Sequence, residues 1–134
     1  MKYLTTIARV LLLQIGLSGA AVAADLFVIC HPGVKLQPAE VRDMFLGEKQ
    51  FSGSLILQPA DNNAAQPAFL DKVLKMGADK YSTAWTKKSF RDGLNPPPVK
   101  GTDAEALDYV RRTVGACSYT STAPGNGVVL IETL

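Results

Sequence analysis

The sequence predicts an α/β fold: a mixed β-sheet, in a two-layer or three-layer arrangement, flanked by helices. Short apolar runs of strand length alternate with segments of helical periodicity, and glycines and prolines separate them. The last two strand-like segments follow one another without a helix between them. The order β-α-β-α-α-α-β-β therefore favours a sheet of mixed strand direction.

The first 23 residues are typical of a secretory signal peptide. Lys2 and Arg9 supply positive charge, an apolar run covers 10–17, and Ala21-Val22-Ala23 has the small-x-small pattern of a cleavage site. We expect cleavage after Ala23, or else after Ala24, and a periplasmic product without stable membrane insertion. A retained membrane anchor is the alternative, but the apolar run is short for a bilayer span.

Residues 24–134 are predicted to form a single domain without net charge. The chain has 14 Lys and Arg against 12 Asp and Glu, and removal of Lys2 and Arg9 leaves 12 of each sign. The apparent basicity therefore belongs to the signal segment. Without a basic field, a nucleic-acid partner is not expected.

The first half of this domain is predicted to contain two strands and two of the helices. The apolar run 26–30 has the composition of a strand covered on both faces. A helix opening at Pro38 and stopped by Gly47 presents one apolar face, made of Val41, Met44 and Phe45. The run 55–57 is the second strand, and Asp61-Asn62-Asn63 is interpreted as the N-cap of a helix ending near Gly77.

The second half is predicted to contain two helices and two strands. Asp79 caps a helix whose aromatic face comprises Tyr81, Trp85 and Phe90. We interpret this face as core, with an exposed recognition patch as the alternative. Prolines make 93–98 a loop, and Thr102 or Asp103 caps the last helix. Segments 117–120 and 128–131 are the final strands, separated by a turn at 124–127.

Two cysteines, Cys30 and Cys117, lie in a chain predicted to be exported. They are candidates for a disulfide in an oxidising compartment, and two buried free thiols are the alternative. No metal site is expected, because Cys30 and His31 are adjacent and the chain has no other histidine. No cofactor is expected either. No nucleophile–base arrangement or phosphate-cradling glycine loop stands out, so an enzyme is not predicted.

Several short motifs occur in an order that resembles a known family. They are Met44-Phe45-Leu46-Gly47-Glu48-Lys49, then Phe51 with Gly53, then Trp85, Phe90, Gly93 and Pro96, and finally Gly115-Ala116-Cys117-Ser118-Tyr119. Their order and spacing resemble the phosphate ABC transporter substrate-binding family, of the type II periplasmic binding protein fold. A chain of this length corresponds to about one lobe. The resemblance implies a solute-binding protein, with a small oxyanion such as phosphate as its ligand.

The sequence departs from this family where the ligand would bind. Phosphate-binding members carry a Ser-Gly-Thr-type loop, whose N–H groups and hydroxyls hold the anion. Here Asp61, Asn62 and Asn63 occupy that place, and Arg91 near the Gly93 turn is a further candidate contact. These four residues are the predicted ligand-binding set, with helix capping and a solvated loop as the simpler explanations. The alternative function is a protein–protein interaction module that has lost its ligand and contacts a periplasmic or membrane-protein partner.

Overall fold

The computed structural model describes residues 25–134, and the predicted signal peptide lies outside the described residues. The elements along the chain are β1 (Phe27–Cys30), α1 (Val41–Phe45), β2 (Phe51–Ser52), β3 (Leu55–Ile56), β4 (Gln58–Pro59), β5 (Asp61–Asn62), α2 (Gln66–Phe69), α3 (Ala78–Asp92), β6 (Val99–Lys100), α4 (Asp103–Arg112), β7 (Ala116–Thr120) and β8 (Val129–Thr133). A 3-10 turn at Pro38–Glu40 leads into α1, and a π-helical segment at Leu70–Leu74 continues α2.

The main sheet is mixed, as predicted. Its strand order is β4-β7-β1-β8, with β1 antiparallel to both β7 and β8 and with β4 parallel to β7. Beyond β1, Leu26 and Leu134 exchange two backbone hydrogen bonds of 2.9 and 2.8 Å. The first and last strands of the described domain are therefore neighbours.

The architecture has three layers, because alternate residues of β1 face two separate apolar cores. Val28 and Cys30 belong to the larger core, beneath α1, α2 and α3, whereas Ile29 packs with Val110 of α4 on the opposite face. All three of these β1 side chains are fully buried. The prediction of a strand covered on both faces is thus confirmed.

Three aromatic rings form the centre of the larger core. Phe69 stacks on Tyr119 with ring centroids 3.9 Å apart, and Phe45 meets Phe69 edge-on at 4.6 Å. The end of α1 is held by α3, because the Trp85 indole N–H donates to the Phe45 carbonyl at 3.0 Å. Gly47 follows with φ +73° and gives the predicted helix stop.

A disulfide joins Cys30 and Cys117, which face each other on β1 and β7. Both residues are fully buried. The disulfide prediction is confirmed, and the alternative of two free thiols is wrong.

Three predicted element boundaries are wrong. The predicted strand 55–57 is shortened to β3, which pairs with β2, and a separate strand, β4, follows it and joins the main sheet. The second helix ends at Leu74, where Lys75 adopts a left-handed φ of 53°, rather than near Gly77. The third helix is capped by Gly77 and not by Asp79. Within residues 25–134, no helix has the length and apolar character needed to cross a bilayer.

Candidate functional site

The candidate ligand loop begins in a strand and not at a helix cap. Asp61 and Asn62 form β5, which pairs in parallel with β6, and the N-cap residue of α2 is Ala65. The interpretation of residues 61–63 as an N-cap is therefore wrong. Residues 93–98, the proline loop, explain why Asp61 lies in a strand. This loop brings β6 beside β5, and the Pro98 carbonyl accepts the Asp61 N–H at 2.8 Å.

The Asp61 carboxylate is buried and accepts hydrogen bonds from two tyrosine hydroxyls. The Tyr81 hydroxyl donates to Oδ2 at 2.7 Å, and the Tyr119 hydroxyl donates to Oδ1 at 2.8 Å. Asp61 itself is 2% exposed. Each carboxylate oxygen thus has a neutral donor from a different element, one from α3 and one from β7.

Burial dominates the electrostatics of this cluster. Desolvation raises the pKa of the Asp61 carboxyl, although the Tyr81 and Tyr119 hydroxyls oppose the rise. Desolvation and the adjacent Asp61 carboxylate raise the pKa of both tyrosines. Both phenols therefore remain protonated donors at physiological pH.

Asn62 joins three segments of the fold. Its Nδ2 donates to Asp103 Oδ1 at 2.7 Å and to the Tyr119 carbonyl at 2.9 Å, and its Oδ1 accepts the Ala64 N–H at 3.1 Å. Asp103 also accepts from Ser121. Burial raises the pKa of the Asp103 carboxyl, but the Ser121 and Asn62 hydrogen bonds outweigh it and leave this pKa below its usual value.

The backbone donors of this loop are engaged inside the protein. Asp61 donates to Pro98, Asn63 donates to Lys100 at 2.8 Å, and Ala65 donates to Asn62 at 3.1 Å. The Ala64 N–H is bound by the Asn62 side chain. An anion at this position would have to break these bonds, since capture by backbone depends on free N–H groups.

The four predicted site residues do not converge on one point. Asp61 and Asn62 are buried, whereas Asn63 and Arg91 are exposed. Arg91 lies near the end of α3 and forms an ion pair with its neighbour Asp92 at 3.1 Å.

A groove opens beside Asp61, between α3 and the proline loop. We call it the aromatic groove; its volume is about 470 Å³ and its lining includes Asp61, Tyr81, Trp85, Phe90, Pro97 and Val99. Phe90 is 94% exposed and Val99 is 59% exposed. The expectation that Phe90 belongs to the core is wrong, while Tyr81 and Trp85 are buried as predicted. Residue 90 lies near the end of α3, beyond the part of the helix that covers the core.

No protein-family model matches this chain, and no curated protein matches it. The resemblance to the phosphate-binding family therefore remains a prediction. Among residues 25–134, no group of three or more His, Cys, Asp or Glu side chains is placed to hold a metal ion.

Sequence reasoning missed the tyrosines that bind Asp61, as well as the role of Asp103. The sequence pattern places Tyr81 on an apolar helix face and Tyr119 in a strand, and it predicts no partner for either hydroxyl. The available signal was chemical, because a buried tyrosine needs a partner for its O–H. An aspartate in an apolar setting is such a partner.

Proposed function

We propose that this chain is an exported binding module that engages a periplasmic or membrane-protein partner through the aromatic groove. The main support is that the backbone N–H groups of Asp61, Asn63, Ala64 and Ala65 donate to groups within the protein. A loop whose N–H groups are already paired has lost the chemistry that captures an oxyanion. The carboxylate of Asp61 adds electrostatic repulsion to any anion that approaches.

The exposed rim of the aromatic groove supports a macromolecular partner. Phe90 and Val99 are exposed apolar side chains, and covering them by a partner is favourable. Phe90 is also free to be covered without disturbing the core. A second groove, of about 330 Å³, shares Trp85, Pro96 and Pro97 with the first. Two adjoining grooves suit an extended segment better than a small solute.

Export is part of the proposal. The disulfide between Cys30 and Cys117 supports it, because such bonds form and persist in oxidising compartments. Edman sequencing of protein recovered from the periplasm tests it, and we expect the chain to begin after Ala23 or Ala24. Recovery of an uncleaved chain in the membrane fraction would contradict export as a processed protein.

Site-specific photo-crosslinking in the producing cell tests the interaction surface. A photoreactive residue at position 90 should give a discrete adduct with one protein. The control is position 114, where Val114 is exposed and does not line the aromatic groove. Identical adducts from both positions, or none from position 90, would refute the assignment of this surface.

Calorimetric titration with phosphate tests the competing oxyanion-binding function. We expect neither heat nor a thermal shift at millimolar phosphate. A shift that is lost on substitution of Asn63 would instead support an anion site at the start of α2 and overturn the proposal.

A further inference from the structure

We infer that the aromatic groove receives a cationic side chain, an arginine or a lysine, presented by the partner. This inference rests on the proposed function and names the chemistry of the same surface. The ligand group is thus positively charged, whereas the family resemblance implies a negatively charged ligand.

The charge of the groove favours a cation. Asp61 is the one ionisable acid among the described lining residues, and the others are neutral, with no lysine or arginine. The hydrogen-bond donors to the Asp61 carboxylate are uncharged phenols. They therefore do not neutralise its negative charge. An arriving cation would provide the missing counter-charge at low local dielectric.

The second groove provides a contrast in charge. Its charged lining residue is Lys49, which forms an ion pair with Glu40 at 3.0 Å. The second groove thus offers a basic side chain no acidic lining residue, whereas the aromatic groove offers Asp61. The two grooves therefore fix the position of a basic residue along an extended segment.

Aromatic rings supply a second reason for a cation. Tyr81, Trp85 and Phe90 line the groove from α3; Tyr81 and Trp85 are buried, and the Phe90 ring is exposed to an arriving group. Guanidinium and ammonium groups are attracted to the faces of such rings, and arginine also stacks on them. The aliphatic stem of the same side chain can cover the exposed Phe90 ring while its charged head approaches Asp61.

Two model compounds test the inference in the intact protein. Nα-acetyl-arginine amide carries the guanidinium, and Nα-acetyl-citrulline amide is its uncharged counterpart of nearly equal shape. Trp85 is the only tryptophan of the sequence and lines the groove, so its fluorescence reports binding. We expect the arginine compound to bind with millimolar affinity and the citrulline compound at least about fivefold more weakly.

Variants at Ser82 test whether the preference for arginine arises in the aromatic groove. They leave the hydrogen bonds of Asp61 with Tyr81 and Tyr119 in place. Ser82 lines the groove from an exposed helical position. Ser82→Lys adds a positive charge and should abolish the preference for arginine, whereas Ser82→Gln, of similar length but neutral, should retain it. Asp61→Asn should also abolish the preference if the variant folds.

Equal binding of the two compounds, or equal behaviour of the two Ser82 variants, would overturn the inference. The proposed function would survive that result if the crosslink at position 90 is still found. Absence of the crosslink together with a preference for arginine would instead leave a cation site with no protein partner.

Discussion

Buried Asp61 makes stability depend on pH in a direction unusual for a carboxylate. Its pKa in the folded protein is raised above the reference value of 3.8, so the folded state holds the proton more tightly than the unfolded state. From about pH 4 upward, deprotonation of Asp61 lowers the free energy of unfolding, and the loss is complete above the folded pKa.

Denaturation of the wild type and of Asp61→Asn between pH 4 and 7 measures this effect. The free energy of unfolding of the wild type should fall relative to that of the variant as the pH rises. Asp103 acts in the opposite sense, because its lowered pKa provides stability that is lost as the pH falls below about 4. A difference that is constant or rises with pH would contradict the buried setting of Asp61.

Gly115 is required by a close approach of two backbone segments. A Cβ at this position would lie 2.1 Å from the Ile56 carbonyl oxygen, and its φ is +83°. Gly53 is a matched control, with φ +59° and no heavy atom within 4 Å of an added Cβ. Gly53→Ala should cost about 1–2 kcal/mol from backbone strain alone, and Gly115→Ala should cost clearly more. Urea denaturation of both variants checks this, and equal losses would contradict the clash.

At the level of single residues, the sequence identified roles that depend on near neighbours. The prediction of Gly47 as a helix stop depends on local backbone and is confirmed. Of the two predicted cap candidates, Thr102 and Asp103, Thr102 is the N-cap and accepts the Glu105 N–H at 3.1 Å. The partners of Asp61 could not be predicted, because Tyr119 is 58 positions away and meets it only through strand pairing.

At the level of elements, the longer helices with clear helical periodicity and the apolar strands were predictable from the sequence. The two-residue strands were not. β1, β7 and α4 bury continuous or periodic apolar residues, which is a strong signal. β5 and β6 have two residues each, and their pairing depends on the proline loop. The same loop places the aromatic groove, so its shape was also hidden from the sequence.

The disulfide links the central pair of strands and should contribute strongly to stability. It connects residues 87 positions apart, and removal of a native bridge in a small domain costs about 2–5 kcal/mol. We expect a loss in this range for the double variant Cys30→Ala/Cys117→Ala, measured by urea denaturation. In the folded wild type, a thiol-reactive dye should show no reaction, and rapid labelling would contradict the bridge.

At the scale of the whole molecule, the main sheet has one protected edge and one open edge. β4 is a short edge strand containing Pro59, which lacks a donor. β8 has five residues and no proline, and Leu130 on it is 49% exposed. Open apolar edges are sites of strand pairing between molecules.

Sedimentation of the wild type and of Leu130→Lys tests the consequence of this open edge. The average mass of the wild type should rise with concentration, and the charged variant should suppress that rise. Its free energy of unfolding should change by less than about 0.5 kcal/mol, because the residue is at the surface. A mass independent of concentration in both proteins would contradict the prediction.

The backbone bonds between Leu26 and Leu134 also have a consequence for folding kinetics. Pairing of β1 with β8 requires closure of nearly the entire domain, and contacts of such large sequence separation slow folding. A circular permutant, with a short linker from 134 to 25 and new ends in the exposed turn near Gly125, would make this pairing local. The sheet would be unchanged, but β8 and β1 would become the two strands of a hairpin.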